Sequence, residues 1–105
     1  MGLITIAAYR PKDGKGDEVL ALTREHHGIL ANEGLVTERA PIIMRSSDGT
    51  IVEVFEWVSK AATDDAHTNP NVLVLWQRYA AVCDYVKLPE LPESDQLFAG
   101  FASVD

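Results

Sequence analysis

The spacing of apolar residues changes along the first third of the chain, and this change separates a strand from a helix. Residues 3–10 are mostly β-branched, aromatic or small and stop at Pro11, before a glycine-rich loop, so they predict a strand. From Asp17 the apolar residues recur every three or four positions until Gly34, which suits the end of a helix. The sequence therefore predicts strand one and helix one here.

The next segment has the pattern of a hairpin. Residues 36–45 and residues 50–58 are rich in β-branched and aromatic side chains, and a turn containing Asp48 and Gly49 separates them. Pro41 cannot donate a backbone hydrogen bond, so it favours an edge position or a bulge in the first of these two strands. We expect two antiparallel neighbours.

Helical spacing returns in the second half of the chain. Ser59 is a favourable N-cap for a short helix over residues 60–67, which must end near Pro70. A long helix is predicted from Pro70 to Val86, because apolar residues repeat there at three- and four-residue spacing. Residues 96–104 predict a last strand.

The resulting order of strand, helix, strand, strand, helix, strand predicts the fold class. It is typical of α+β domains with a ferredoxin-like βαββαβ order, in which two helices cover one face of an antiparallel four-stranded sheet. We interpret residues 1–105 as one such domain. Strand three is apolar on both faces, with Ile51, Phe55 and Trp57 alternating with Val52, Val54 and Val58. Since exposed apolar faces usually mark interfaces, the pattern predicts a homodimer.

Composition and charge exclude several classes of function. Apolar residues make up 47% of the chain and charged residues 24%, values typical of a folded globular protein. The formal net charge of −7 disfavours nucleic acid and anionic membranes as partners. Cys83 is the single cysteine, which excludes an internal disulfide and suits a reducing compartment. With no apolar run of 18 residues and no basic leader before strand one, we expect a cytoplasmic protein.

The segment from strand three to the short helix resembles a known family. Residues 53–62 run from a strand ending in Trp57 into a Ser59-capped helix, and an Ala-His pair at 66–67 precedes the break at Asn69-Pro70. This pattern, with the loop at 11–16, resembles the antibiotic biosynthesis monooxygenase-like (ABM) family of dimeric α/β barrels. The resemblance implies that fold and a homodimer.

Members of that superfamily carry out different chemistry, so the resemblance leaves the reaction open. It includes oxygenases that oxidise aromatic polyketides without metal or flavin, haem-degrading enzymes, isomerases and proteins of no assigned activity. The haem-degrading relatives use an Asn near the first strand and a His on a helix. Residues 3–10 contain no Asn and the long helix contains no His, so the resemblance does not extend to a haem site.

Two histidines are the first candidates for chemistry. His67 follows the short helix, where its imidazole could face a crevice and act as a base near neutral pH. The alternative is a residue that hydrogen-bonds the end of its own helix. His26 shares the apolar stripe of helix one, and a buried structural role or a ligand contact are both open to it. Histidine and carboxylate spacings that bind metals are missing, so we expect no metal and no cofactor.

Two glutamates interrupt the apolar third strand. Glu53 and Glu56 differ in parity and therefore point to opposite faces of the sheet. A buried carboxylate requires a partner, and we favour a cross-strand salt bridge to Arg39 or Arg45. The alternative is a general base with a raised pKa.

Aromatic residues could form the walls of a small-molecule pocket between the sheet and the helices. The candidates for ligand contact are Tyr9, His26, Met44, Phe55, Trp57, Trp76 and Tyr79. In the helical stripe such residues serve as core packing more often than as a ligand platform, so both roles stay open.

Two hypotheses of function follow. The first is a cofactor-independent monooxygenase-like enzyme that acts on a small aromatic or enolisable metabolite, with His67 and a strand-three glutamate as catalytic residues and Trp57 as a pocket wall. The second is a non-catalytic dimer that binds a small ligand or serves as a stress accessory protein. The enzyme is favoured if His67 and one glutamate meet within hydrogen-bond reach of a cavity, and the binding or structural protein is favoured if Trp76 and Tyr79 seal that cavity.

Overall fold

The structure, a computed structural model, describes residues 2–104. These residues form one five-stranded sheet, three α-helices and two short 3₁₀ turns. The strands are β1 (Leu3–Pro11), β2 (Ile42–Arg45), β3 (Ile51–Trp57), β4 (Cys83–Val86) and β5 (Ala102–Ser103), and the helices are α1 (Gly16–Asn32), α2 (Lys60–Ala66) and α3 (Pro70–Val82). The 3₁₀ turns span Leu88–Glu90 and Pro92–Asp95.

The sheet is antiparallel with the strand order β4-β1-β3-β2-β5. The order β1-α1-β2-β3-α2-α3-β4 confirms the α+β class, although the fourth strand is formed by Cys83–Val86 and not by the predicted residues 96–104. The predicted count of four strands is wrong, because β5 adds two residues at the β2 edge, where Ala102 pairs with Arg45.

The predicted end of the long helix is wrong. α3 stops at Val82, and the next four residues form β4, which pairs with β1 so that Tyr85 lies opposite Tyr9. The short apolar run at 82–86 fits two patterns, because Val82, Cys83 and Val86 have helical spacing while Cys83 and Tyr85 alternate as in a strand. Pairing with the free backbone edge of β1 selects the strand. Of the strand predicted over residues 96–104, only Ala102–Ser103 forms.

The hairpin is shorter than predicted on its first side. The strand expected over residues 36–45 is confined to Ile42–Arg45, and Val36 makes only an isolated bridge to Trp57. Pro41 precedes the regular pairing, since it has no backbone N–H to donate. Two turn predictions are confirmed, because Gly34 and Gly49 adopt φ of +72° and +90°, a region that favours glycine.

All three helices lie on one face of the sheet. Strand residues of odd number point towards them, because β1, β3 and β4 pair odd with odd. Two buried clusters form there, one around Val19, Ile51 and Leu75 and one around Leu30, Phe55, Trp57, Ala66 and Val72. We call this the covered face. Side-chain N-caps begin two of these helices. Ser59, the predicted cap of α2, accepts a hydrogen bond from the Ala62 N–H, and a side chain also caps α3.

The opposite, even-numbered side is called the open face. Its half next to the C-terminal segment, residues 88–101, is buried, because Leu91 packs on Ala8 and Val52. The other half carries the exposed side chains of Ile4 and Ile42. Ile6 lies at the boundary, where it lines a cavity beneath Leu91. No helix within residues 2–104 combines the length and apolar character needed to span a bilayer.

Candidate active site

A cavity of about 250 Å³ lies between the sheet and helices α1 and α3 on the covered face. Nearly all of its wall is aromatic, and Tyr85, 56% exposed, stands at its rim. The lining residues are Thr5, Ala7, Tyr9, His26, Phe55, Trp57, Trp76, Tyr79 and Tyr85. Such a wall suits a flat apolar ligand, because aromatic rings supply large contact areas with few rotatable bonds.

A buried histidine–carboxylate pair lies at one side of this cavity. Nδ1 of His26 is 2.8 Å from Oε1 of Glu53, and both side chains are buried. The Tyr9 hydroxyl donates to the same Oε1, also at 2.8 Å. His26 and Tyr9 line the cavity and Glu53 lies behind them. The carboxylate therefore contacts these two side chains and does not itself form part of the cavity wall.

The local sequence explains why the three side chains meet. Glu53 is an odd-numbered residue of β3 and points to the covered face, where β1 brings Tyr9 alongside it. His26 lies on the buried stripe of α1 between Leu22 and Leu30. A carboxylate in the core is tolerated only with hydrogen-bond donors, and Tyr9 and His26 supply two.

The second carboxylate oxygen of Glu53 is buried and has no hydrogen-bond partner among the described residues. Both donors converge on Oε1 instead. Both protein hydrogen bonds to this carboxylate therefore depend on Oε1, and loss of either donor would leave a buried carboxylate with a single partner.

The rings of the cavity hold the imidazole in place. His26 meets Phe55 and Tyr79 edge-on, with ring centroids 5.3 and 5.6 Å apart. Tyr9 and Tyr79 stack at 4.5 Å, and the Tyr79 hydroxyl donates to Thr23 Oγ1 at 3.1 Å. Tight packing of this kind fixes a side chain in one rotamer, as a positioned catalytic group requires.

The tyrosines of the cavity stay protonated at neutral pH. Burial, and then the neighbouring Glu53 charge, hold the pKa of Tyr9 well above its usual range. Burial also raises the pKa of Tyr79, and it raises the pKa of Tyr85 to about 12. A tyrosinate base is therefore excluded for these three residues, which leaves His26 as the basic group of the cavity wall.

The pair with Glu53 decides where the proton on His26 resides. Because a carboxylate only accepts hydrogen bonds, we infer that Nδ1 is the protonated nitrogen of the neutral ring and that its N–H donates a hydrogen bond to Oε1. Nε2 then holds a lone pair, and His26 lines the cavity. A neutral imidazole oriented by a carboxylate through its other nitrogen is the arrangement that general-base catalysis requires.

The structure places the other predicted histidine elsewhere. His67 is exposed at the C-terminal end of α2, where Nδ1 lies 2.7 Å from the Thr63 carbonyl oxygen. Its ring meets Trp76 edge-on at 5.1 Å, and it is not part of the cavity lining. His67 therefore does what the alternative interpretation expected, which is to bond the end of its own helix.

The two glutamates have different partners. Glu56 accepts from the Thr37 hydroxyl at 2.9 Å and from Arg39 Nε at 3.2 Å, and these bonds lower the pKa of Glu56. The expected salt bridge to an arginine is thus present for Glu56. For Glu53 that expectation is wrong, because its partners are Tyr9 and His26.

Six of the seven predicted ligand-contact residues line the cavity, and one does not. Met44 points to the open face and lines a separate apolar cavity of about 220 Å³ beneath Leu91 and Phe101. Sequence reasoning missed Tyr85 because its segment was interpreted as helix. The odd-number parity of Tyr85 with Cys83 would have placed it on the covered face once the strand was recognised.

The cavity contains no cluster for a metal. Within residues 2–104, no three histidine, cysteine or acidic side chains come close enough together to hold a metal ion. Cys83 is buried, and burial raises the pKa of its thiol to about 11, so it is a poor nucleophile at neutral pH.

Comparison with known proteins adds information on the fold. The chain is similar to the crystal structure of an uncharacterized NIPSNAP domain protein from Burkholderia xenovorans, with 20% sequence identity and a TM-score of 0.53 over 82% of this chain and 90% of that chain. No protein-family model matches the sequence, and no curated protein matches it. The likeness extends to the fold alone.

Proposed function

We propose that this protein is a cofactor-independent, monooxygenase-like enzyme that removes a proton from a small aromatic or enolisable metabolite. The observation that supports the proposal is the His26–Glu53 pair against an aromatic cavity. The predicted meeting of His67 with a glutamate at the cavity does not occur, and the support comes instead from His26, which lines the cavity with Glu53 behind it.

The proposed step begins with the ligand flat against the aromatic wall. Nε2 of His26 takes a proton from the ligand, while Nδ1–H remains bonded to Glu53. The resulting imidazolium carries a positive charge between two negative groups, the new anion and Glu53, and both stabilise it. Against a wall of aromatic rings the effective dielectric constant is lower than in water, so these interactions are stronger there.

Oxygen is the co-reactant of the monooxygenase-like outcome. The deprotonated ligand supplies electrons to dioxygen, and the balance is R₂CH₂ + O₂ → R₂C=O + H₂O. One oxygen atom becomes the carbonyl and the other leaves as water. No external reductant is required, because the carbon that is oxidised provides all the electrons.

We further propose that the enzyme is related to the ABM family and works as a cytoplasmic homodimer. The bare isoleucines of the open face support the dimer, since Ile4 and Ile42 are 56% and 61% exposed. The reducing compartment is supported by the single buried cysteine.

A non-catalytic ligand-binding or stress-accessory protein is the second candidate. It is favoured by the composition of the wall, because the hydroxyls of Tyr9 and Tyr79 donate to protein groups and leave few polar groups aimed at a ligand. The two candidates differ in proton transfer and not in binding.

The test separates proton removal from oxygen use. A panel of phenols, quinols and cyclic ketones is incubated in D₂O without oxygen, and deuterium incorporation is measured by mass spectrometry; oxygen uptake is then followed in air. For any compound that exchanges, His26→Ala is expected to lose about a hundredfold or more of the rate.

His67→Ala is the matched control, since His67 is an exposed histidine outside the cavity lining. It should retain the wild-type rate. Equal rates in wild type and His26→Ala, or saturable binding with no exchange for any compound, would contradict the enzyme proposal. The second of these results favours the binding protein.

A further inference from the structure

We infer that the cavity takes an uncharged planar ligand of one or two rings that offers a hydroxyl or N–H group, and that buried Glu53 selects against ligands carrying a carboxylate. This inference rests on the proposed function because it names the substrate class of the same site. It depends on three properties of the cavity, which are its volume, its charge and the polarity of its free hydrogen-bonding atom.

The volume limits the size of the ligand. A dry cavity of roughly 150 Å³ holds one benzene ring, so a cavity of about 250 Å³ accommodates one ring or two fused rings. The walls come from the sheet and two helices, and stacked rings such as Tyr9 and Tyr79 leave no slack between them. Ligands of three or four fused rings exceed this volume, so part of such a ligand would extend past Tyr85 into solvent and gain no contact with the wall.

The charge of the surroundings excludes anions. No lysine or arginine lines the cavity. Glu53 is fully buried directly behind His26 and Tyr9. While His26 is neutral, a carboxylate that reaches its Nε2 would lie on the order of 8 Å from the Glu53 carboxylate with no cation between them. At an effective dielectric constant of about 20, this repulsion weakens binding roughly thirtyfold.

The free hydrogen-bonding atom calls for a donor. Nδ1–H of His26 is used by Glu53, which leaves Nε2 as an acceptor. The Tyr9 hydroxyl donates to Glu53 and the Tyr79 hydroxyl to Thr23, so neither is free to donate to a ligand. A ligand that presents O–H or N–H to Nε2 satisfies the imidazole, and one without such a group leaves it unpaired.

The test is a matched series of probes, measured by calorimetry on the intact protein. The probes are 2-naphthol, naphthalene and 2-naphthoate, which share one ring system and differ in the donor and the charge. We expect 2-naphthol to bind most tightly and 2-naphthoate at least tenfold more weakly. A three-ring phenol should bind no more tightly than 2-naphthol, because its third ring lies outside the aromatic wall.

Two variants separate Glu53 from the overall charge of the protein. Glu53→Gln removes the buried charge and should narrow the difference between naphthol and naphthoate severalfold. Glu56→Gln removes one charge outside the covered face and should leave the difference unchanged. A naphthoate affinity equal to that of naphthol, an unchanged difference in Glu53→Gln, or no binding of naphthol would overturn the inference.

A second measurement needs no variant, so it stands even if Glu53→Gln does not fold. 4-Nitrophenol ionises near neutral pH, and its affinity for the wild-type protein is expected to fall as the phenol becomes a phenolate. Affinity that is independent of this ionisation would overturn the inference. Selective binding of neutral probes without hydrogen exchange would leave the inference standing while the proposed enzyme activity fails.

Discussion

The two faces of the sheet use apolar residues for different purposes. On the covered face, Phe55 and Trp57 pack under helices, and they share the space with a buried polar group, Glu53, which is held by Tyr9 and His26. On the open face, Ile4 and Ile42 are exposed. The C-terminal segment, residues 88–101, covers only the half of this face that contains Ala8 and Val52.

The difference shows that hydrophobic pattern alone does not distinguish a core from an interface. β3 is apolar on both sides, yet one side encloses a cavity and the other side is only partly covered. What identifies the functional side is the polar exception, since Glu53 is buried at a cost that only partners or chemistry can offset. This contrast is the reason that the proposed chemistry is located on the covered face and the proposed association on the open face.

The largest expected effect tests whether the covered face carries the stability. Leu30 is fully buried in the cluster with Phe55 and Trp57, and Leu30→Ala should lower the free energy of unfolding by about 2–5 kcal/mol. Ile42→Ala on the open face is the matched control. At protein concentrations low enough for the single chain to predominate, it should change the free energy of unfolding by less than about 0.5 kcal/mol. Urea denaturation measures both, and equal losses would contradict the comparison.

A smaller effect is expected inside the cavity wall. Tyr79→Phe removes the hydrogen bond to Thr23 while the stacked ring remains, so the free energy of unfolding should fall by about 1 kcal/mol. Thr23 still donates to the Val19 carbonyl oxygen, which limits the loss. Naphthol affinity should be retained, because the removed hydroxyl points to Thr23. A large loss of affinity would mean that this hydroxyl faces the ligand.

The sequence predicts the scaffold well where local signals are strong. Gly34, Gly49 and Ser59 each have one chemical reason for their position, and each prediction is confirmed. β4 was missed because its residues fit two periodicities, and only pairing with β1 selects the strand. Long-range pairing of this kind cannot be predicted from a short window of sequence.

The sequence predicts which residues form the candidate site but not which of them bond to each other. Parity places Glu53 and Glu56 on opposite faces, and the helical stripe buries His26. Which group becomes the partner of Glu53 depends on how α1 crosses the sheet, and the sequence favoured an arginine where the fold supplies Tyr9 and His26.

The attachment of the C-terminal segment gives the next prediction. Glu93 accepts from the Ser46 hydroxyl at 2.6 Å and from the Ser47 N–H at 2.8 Å, and these bonds hold the pKa of Glu93 below its usual range. Glu93→Gln should lower the melting temperature and speed proteolysis within residues 88–101. Uncut protein after prolonged digestion would show that Leu91 alone secures the segment.

The same bonds predict a pH dependence with a defined sign. Because the folded pKa of Glu93 is lowered, its stabilisation is complete above the ordinary carboxyl value of 4.5 and is lost as the pH falls through the lower folded value. Glu93→Gln should therefore lose part of the acid-induced decrease in stability. Parallel curves for the variant and the wild type would contradict this assignment.

The smallest effect on folding is expected at the open face. Ile42→Lys places a charge on a side chain that is 61% exposed, so the unfolding of the single chain should change by less than about 0.5 kcal/mol. In the proposed homodimer the same change disrupts the interface, and sedimentation should show half the wild-type mass. A wild-type protein that sediments as a single chain at micromolar concentration would remove the proposed dimer.

The central claim is that Glu53 holds His26 with Nδ1 protonated and Nε2 free at the cavity, and ¹⁵N NMR of the histidine rings tests it most directly. For the neutral ring we expect a protonated Nδ1 with a scalar coupling or a strongly deshielded proton from the bond to Glu53, an unprotonated Nε2, and a shift of Nε2 when 2-naphthol binds. A ring protonated at Nε2, or an Nε2 signal that naphthol leaves unchanged, would contradict the account.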